Sequence, residues 1–487
     1  MKKQAKLRTN LIETNDNKSI PIGTIAAVRH FMEKLELDSL FPKFKGRGSE
    51  LFALAAALIS YRLTENFSIE GCGRWLQSKE VRQELGISGK VSSRTLNRAV
   101  EIVGGNMPEI LHTVRERIFS MYALEHTDVN IDTTSVSVYG TNGPLSAYGY
   151  SRDRRPDLEQ VNFGVAELRH PINLPIDLAV DRGNAADPVQ FLNIIENVVG
   201  HMRPGSMFVF DAGGDSKKNL DRISEYGMRY VTRKKMNVSD DKRISELKWD
   251  EIDIVDEARG LCCVKHTFAS SGRTTYLFFS RSLYETKMAS VEGRARKCVR
   301  DAKDAVLYSK KGKLRISKTV VKKFNPLLKV NITVQRAFFD GEEAMFEYAK
   351  DMIMNHREGF FKLESSVNLT PSEVYEIYRR KDTVEKLIES LKNHINIKPL
   401  RVWSEHSVKG ILLLGFLAQL IISMMRFENP AIREKSSKFI IRSLENLSVT
   451  HIFDSTGRSK RIFSNFEPLN TTILREIMIK PGVNGAV

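Results

Sequence analysis

The spacing of apolar residues changes at Thr127, and the order of elements after that point leaves few folds open. From Thr24 to Leu124 the pattern is mostly helical. Beyond it, Asp128, Asn130 and Asp132 alternate with Val129 and Ile131, which puts the two sets on opposite faces of a strand. A second strand is expected near Val161–Leu168, and a third where Leu174, Ile176, Leu178 and Val180 alternate. Asp187 and Pro188 open a helix to about Val199, with Gln190 completing its cap. Met207-Phe-Val-Phe-Asp211 reads as a short buried strand with Asp211 as its last residue, stopped by Ala-Gly-Gly. A helix over about Ser216–Glu225 and a strand at Tyr230–Thr232 follow. Three consecutive strands can form an antiparallel meander, whereas the later ones must be joined through crossover helices.

That order is the order of a ribonuclease H-like α/β core, a mixed sheet with helices. It breaks off after Arg233. Residues 236–345 mix short strands (Thr274–Ser280 and Val330–Val334) with a basic stretch that begins as a helix and becomes extended. A strand resumes near Gly359-Phe-Phe-Lys-Leu-Glu. We read 236–345 as a mainly β, basic insertion into the core before its last helix; a separate domain in series is the alternative. The expected organisation is therefore an N-terminal helical part (1–125), core (126–235), insertion (236–345), core (346–430) and a C-terminal tail (431–487). Residues 1 to about 20 are polar and expected to be loose.

Within the N-terminal part, Glu50 to Arg62 is a dense apolar helix, and Ser68 to Leu76 a short helix entering a turn. Residues 81–100 resemble a helix-turn-helix. Gly86 would end one helix, and Ser92 or Ser93 would cap a second carrying Arg94, Asn97 and Arg98, the helix that would lie in a major groove. A bundle that only packs or dimerises is the other reading of the same pattern.

The chain of 487 residues has a net charge of +16, which points to a polyanion partner. From Val291 to Asn325 there are twelve lysines and arginines against three acids, so +9 of that charge sits in one stretch. Nucleic acid explains this better than a membrane, because no amphipathic helix with a wide apolar face accompanies the charges. Ile411 to Met425 is strongly apolar but is interrupted by Gly415, Gln419 and Ser423. At fifteen residues it is too short for a bilayer and is expected to be a core helix. Cys72, Cys262, Cys263 and Cys298 contain no C-x-x-C pair, which fits a reducing, cytosolic setting. The start, Met-Lys-Lys-Gln-Ala-Lys-Leu-Arg, lacks the apolar run of a signal peptide.

Thr370 and Glu373 form a capping-box pattern with Pro371 at the first helical position. On the helix they open, Tyr378, Glu385 and Lys392 are seven apart, and Lys381 lies between the first two, so all four share one stripe. A solvated basic helix face is the plain reading of that stripe. The core order favours another. Asp132 lies mid-strand, Asp211 ends the strand that runs beside it, and Glu385 rides a helix at the same sheet edge. Three carboxylates meeting at one point repel unless divalent cations neutralise them. Oxygen-only ligands favour Mg²⁺ or Mn²⁺, and two such ions perform in-line phosphoryl transfer. Asp181 competes with Asp211 for the second place and Glu389 with Glu385 for the third. The histidines read as structural: His394 and His406 lie near helix ends, and none has a second ligand at metal spacing.

The motif Y-x2-R-x3-E-x6-K is matched by Tyr378, Lys381, Glu385 and Lys392, with lysine in place of arginine. Ile131-Asp-Thr-Thr, Gly149-Tyr-Ser-Arg-Asp-Arg-Arg-Pro-Asp-Leu-Glu-Gln-Val and Phe208-Val-Phe-Asp211 complete a set over about Thr127–Arg426. The chain thus resembles DDE transposases of bacterial and archaeal insertion sequences, in the branch with a Y-R-E-K signature. The resemblance implies metal-dependent cleavage at transposon ends, then attack of the freed 3′-hydroxyl on target DNA. It makes Asp132, Asp211 and Glu385 the catalytic, metal-binding triad. Tyr378 and Lys381 would hold a phosphate at the transposon end, and Lys392 would contact the backbone nearby. It implies double-stranded DNA as partner (terminal inverted repeats and target), a homodimer at synapsis, no membrane, and a prokaryotic, nucleoid-associated cytoplasmic setting. Lys381 lacks the bidentate fork of arginine, and Ala212 stands where an arginine commonly follows the second aspartate. Trp249 is the one tryptophan of the proposed insertion; in related enzymes an aromatic residue there can receive a flipped base, and a core role is the plain reading. A ribonuclease H-like nuclease or resolvase, or an inactive transposase-derived DNA-binding protein, are the rival readings.

Overall fold

The computed structural model describes residues 18–470, apart from 45–49, 65–67, 125–127, 141–142, 171–172, 249–251, 269–271, 308–340, 396, 454–458 and 469. Trp249, the strand expected at Val330–Val334 and the extended part of the basic stretch lie outside the described residues. The chain divides into two compact units, Met1–Tyr230 with Tyr378–Val487, and Val231–Ile377.

Among the described residues the first unit begins with a strand, β1 (Lys18–Pro21); most of the segment expected to be loose lies outside them. Helices follow: α1 (Gly23–Lys34), α2 (Leu37–Leu40), α3 (Leu51–Leu63), α4 (Ile69–Trp75), α5 (Lys79–Leu85), α6 (Ser93–Gly105) and α7 (Met107–Tyr122). Local chemistry sets these boundaries. The Ser68, Ser78 and Ser92 hydroxyls each accept a backbone N–H at a helix start. Gly86 ends α5 with a φ of 75°, the left-handed geometry glycine adopts without strain. Leu96, Ala99, Val100 and Val103 bury one face of α6, while Arg94, Asn97 and Arg98 are exposed on the other.

The α/β part holds β2 (Val129–Ser137), β3 (Gln160–Leu168), β4 (Leu174–Arg182), α8 (Asp187–Val199), β5 (Met207–Phe210) and α9 (Lys217–Glu225). Its strands lie in the order β4-β3-β2-β5. The first three form the antiparallel meander and β5 runs parallel to β2, the third-second-first-fourth arrangement of a ribonuclease H-like core. Two local expectations need correcting. Strand β5 stops at Phe210, so Asp211 is the first residue of the turn and not the last of the strand. No side chain caps α8; Asp187 is drawn instead to Thr133 and Arg152, and Gln190 bonds the Ala179 carbonyl.

The first unit closes with α14 (Asp382–Glu389), a π-helical turn (Ser390–His394), α15 (Glu405–Glu428), α16 (Ser437–Asn446), β11 (Ser448–Phe453) and β12 (Ser459–Ser464), numbered after the elements of the second unit. Helix α15 has 24 residues, not fifteen, and is long and apolar enough to cross a membrane by length and composition. Its apolar window is 94% buried within the fold, so it is the core helix expected. It packs on α3, α6, α7 and β4. At the α6 crossing the backbones nearly touch: a Cβ on Gly104 would lie 1.8 Å from the His406 carbonyl oxygen. Part of the segment expected as a tail instead pairs with Lys18–Pro21, in a three-stranded sheet of order β1-β11-β12.

The second unit carries an antiparallel sheet of order β6-β10-β9-β8-β7, from β6 (Arg229–Lys234), β7 (Asp253–Asp256), β8 (Leu261–Thr267), β9 (Thr274–Ser280) and β10 (Phe360–Ser365). It also holds α10 (Val238–Ser245), α11 (Arg281–Leu307) and α12 (Glu342–Ile353). The basic stretch therefore starts inside a 27-residue helix, whose Val291, Ala295 and Val299 form a buried stripe at helical spacing. Helix α13 (Pro371–Arg379) carries the expected capping box: Thr370 N–H donates to Glu373 and Glu373 N–H to Thr370 Oγ1.

Candidate active site

Strands β2 and β5 place two aspartates side by side. Their parallel register pairs Ile131 with Phe210, and Asp132 and Asp211 are the next residues on each strand line. Phe210 and Phe208 are fully buried, which anchors the end of β5. The turn after it needs Gly214, because a Cβ there would lie 2.6 Å from the Phe191 ring and 2.8 Å from that of Phe210. The Asp211 carboxylate accepts the Ala212 N–H at 2.7 Å and the Tyr378 hydroxyl at 3.3 Å.

The helix of the sequence motif is not continuous. Between α13 and α14 the bonds from Lys381 to Tyr378 and from Val384 to Lys381 are i→i+3, which tightens the chain at Arg380–Lys381. Tyr378, Lys381 and Glu385 converge nonetheless. The Lys381 side chain is only 3% exposed, and its ammonium lies 2.9 Å from Glu385 Oε1 and 3.4 Å from Asp132 Oδ1. Burial opposes its charge, but the carboxylates of Asp132, Glu385 and Asp211 outweigh that and hold its pKa above the ordinary lysine value. For Asp132 burial is the largest influence and pushes the pKa up. Lys381 pulls it down, while Glu385 and Asp211 add to the rise. The three carboxylates thus share one electrostatic neighbourhood with a lysine among them.

Further bonds fix this frame. Thr383 on α14 donates to Glu167 at 2.7 Å, and Asn130 of β2 donates to Thr383 at 3.0 Å. Glu167 is buried, and that burial pushes its carboxyl up to about 8. Lys392 sits in the π-helical turn, buried, with its ammonium 2.8 Å from Asp153. Asp153 also accepts the Ser137 N–H at 3.0 Å. The Lys392 ammonium, for which the resemblance implies a DNA-backbone contact, here faces a carboxylate of the loop after β2. Burial pulls its pKa down and the Asp153 bond offsets part of that.

The competing acids stand elsewhere. Asp181 is on β4, with β3 between it and β2, beside Gln190. Glu389 is exposed, one turn beyond Glu385. Asp187 is a carboxylate the sequence reading took as a cap: it accepts from Thr133 at 3.4 Å and pairs with Arg152 at 2.9 Å, one residue along β2 from Asp132. Its Asp-Pro context signals a helix start, so only the fold reveals this second use.

The Transposase DDE domain family matches residues 125–421, more than half of the chain. The chain belongs to that family. It is a DNA transposase, a metal-dependent enzyme of DNA recombination. No curated protein matches it. The chain is similar to a solved structure described as a "Cryo-EM structure of piggyBac transposase synaptic complex with hairpin DNA", at 10% identity and a TM-score of 0.40, over 95% of this chain and 82% of that one. The matched span of the transposase runs from just before β2 into α15. It contains every residue of the carboxylate cluster, and Arg94 and Arg98 on α6 precede it.

Proposed function

We propose that Asp132, Asp211 and Glu385 hold the divalent ions with which this transposase cuts at the ends of its element and joins them to target DNA. The observation that carries this reading is the position of Lys381: a buried cation bonded to Glu385, paired with Asp132 and stabilised by Asp211. A donor set able to hold an ammonium away from water is negative enough to hold metal ions, and its oxygen-only chemistry fits Mg²⁺ or Mn²⁺. When bound, such ions activate a water or a 3′-hydroxyl and stabilise the leaving oxygen.

The chain's own residues supply the rest. Asp132 and Asp211 are fixed by neighbouring strands, and Glu385 by a helix tied to the sheet through Thr383, so the carboxylates are preorganised. The Tyr378 hydroxyl, now on Asp211, and the Lys381 ammonium are the donors placed to grip a phosphate at the transposon end. Lys392 acts through Asp153, setting the loop that carries Arg152, Arg154 and Arg155. Arg94 and Arg98, on the exposed face of α6, are the candidates for duplex contact. Residues 236–345, read as an insertion into the core, would add the basic stretch of the sequence. The partners would be terminal inverted repeats and target DNA, met by a homodimer, and the chain would fall in the Y-R-E-K branch of insertion-sequence transposases.

Strand joining tests the reading. Pre-cut transposon ends and a supercoiled target in Mg²⁺ should give joined products, and Asp132→Ala, Asp211→Ala and Glu385→Ala should each lower cleavage and joining by at least about a thousandfold. End binding in a gel shift should persist in all three. Retained joining in any one of them would remove that residue from the triad.

A further inference from the structure

A second group of metal-ligating side chains lies apart from the carboxylate cluster, where α7 meets the end of α8. His112 and Glu116 are four apart on α7 and so share one face of that helix. His201 follows α8, and its Nδ1 lies 3.3 Å from Glu116 Oε1. One ligand atom from each of the three lies within 4.8 Å of the others. This corrects the sequence reading that no histidine has a second ligand at metal spacing. The i, i+4 pair was there to be seen, and the third ligand came only from folding.

The surroundings suit a cation ligated by nitrogen. The Phe119 ring, one turn beyond Glu116 on α7, stacks on the His201 imidazole with centroids 5.4 Å apart and planes 15° from parallel. That contact holds the His201 ring in place. Its side chain is 12% exposed, whereas that of Glu116 is 57% exposed and His112 is also exposed, so the group is open to solvent on one side. Burial is the largest influence on His201 and lowers its pKa, while the Glu116 carboxylate opposes that shift. Arg115 is the nearby positive charge, and its guanidinium is committed to a buried pair with Asp177.

We propose that His112, Glu116 and His201 form a zinc site, distinct from the oxygen-only cluster, that clamps α7 to the end of α8. Two imidazoles and one carboxylate are a zinc donor set, with water left for the fourth position; Mg²⁺ would avoid the nitrogens. The clamp ties the last N-terminal helix to the α/β core that it precedes.

Binding of Zn²⁺ to the metal-stripped full chain tests this, measured by calorimetry with millimolar Mg²⁺ present to occupy the carboxylate cluster. The expected result is one zinc ion per chain and a rise in Tm that Mg²⁺ does not reproduce. Co²⁺ should give the visible absorption of a four-coordinate ion with nitrogen ligands. Because His112 is exposed, His112→Gln should fold normally while binding Zn²⁺ at least about tenfold more weakly and losing the Co²⁺ spectrum. Unchanged Zn²⁺ affinity in His112→Gln, or no zinc binding by the native chain, overturns the site and leaves a His201–Glu116 hydrogen bond. Loss of zinc binding in Asp132→Asn with His112 intact would assign the ion to the other cluster. None of these outcomes bears on strand joining, so the two readings fail separately.

Discussion

At the scale of single residues, Lys381 has an unusual position: it is both a member of the sequence motif and the counter-charge of the acids around it. Replacing it with methionine removes the cation that competes with metal. Lys381→Met should therefore bind Mn²⁺ several-fold more tightly, read by electron paramagnetic resonance, yet melt at a lower temperature without metal. Equal Mn²⁺ affinity in both proteins would show that the ammonium does not occupy the metal's place. Glu167 makes a different prediction. Its folded pKa of about 8 lies above the usual carboxylate value, so the native state holds a proton that the unfolded chain releases. Its contribution to stability is present below the unfolded pKa and is lost as pH rises through about 8. Between pH 6 and 9 the native protein should lose more stability than Glu167→Gln, by on the order of 1 kcal/mol or more. Parallel melting curves for the two would sink this assignment. Neither behaviour was legible beforehand. The sequence placed Lys381 beside Glu385 by helical spacing, but Asp132 reaches Lys381 only through the packing of α14 on β2, and Glu167 attracted no notice inside an apolar strand.

At the scale of elements, the alternating and helical patterns predicted β2, β3, β4, β5, α8 and the capped α13 with small boundary errors, because each signal lies within a dozen residues. Failures came where distant residues decide. The motif helix was expected to run unbroken from its cap through Lys392. The structure narrows it at Lys381 and widens it into a π turn at Ser390–His394, which turns Lys392 inward to Asp153. Asp153→Ala would leave a buried ammonium without a partner and should cost about 3–5 kcal/mol in chemical denaturation. A loss under about 1 kcal/mol would mean that Lys392 finds water instead. The crossing of α6 and α15 has a similar logic. A Cβ on Gly410 would lie 2.1 Å from the Val100 carbonyl oxygen, so Gly410→Val must push the helices apart. It should destabilise the fold by about 3 kcal/mol or more and weaken end binding, since α6 presents Arg94 and Arg98. Wild-type melting in that variant would contradict the close approach.

At the scale of the whole molecule, charge and element order indicated a DNA enzyme with an α/β core, while the pairing of Lys18–Pro21 with β11 was hidden. Short segments at opposite ends carry no periodicity that reveals their pairing. In the structure Lys18 is opposite His451, Ser19 opposite Thr450, and Ile20 opposite Val449. Removal of residues 1–21 should therefore speed amide exchange across Ser448–Phe453 by more than about tenfold. Exchange unchanged over that strand would argue against the β1–β11 pair.

The same pairing, with the burial of α15 against α1, α3, α6 and α7, separates the order of synthesis from the order of folding. The apolar faces of α1 and α3 are covered by a helix encoded more than 300 residues later, from Glu405 on. A nascent chain must carry those faces without this cover until α15 has been made, and a message cut short before Glu405 would yield a polypeptide that lacks it.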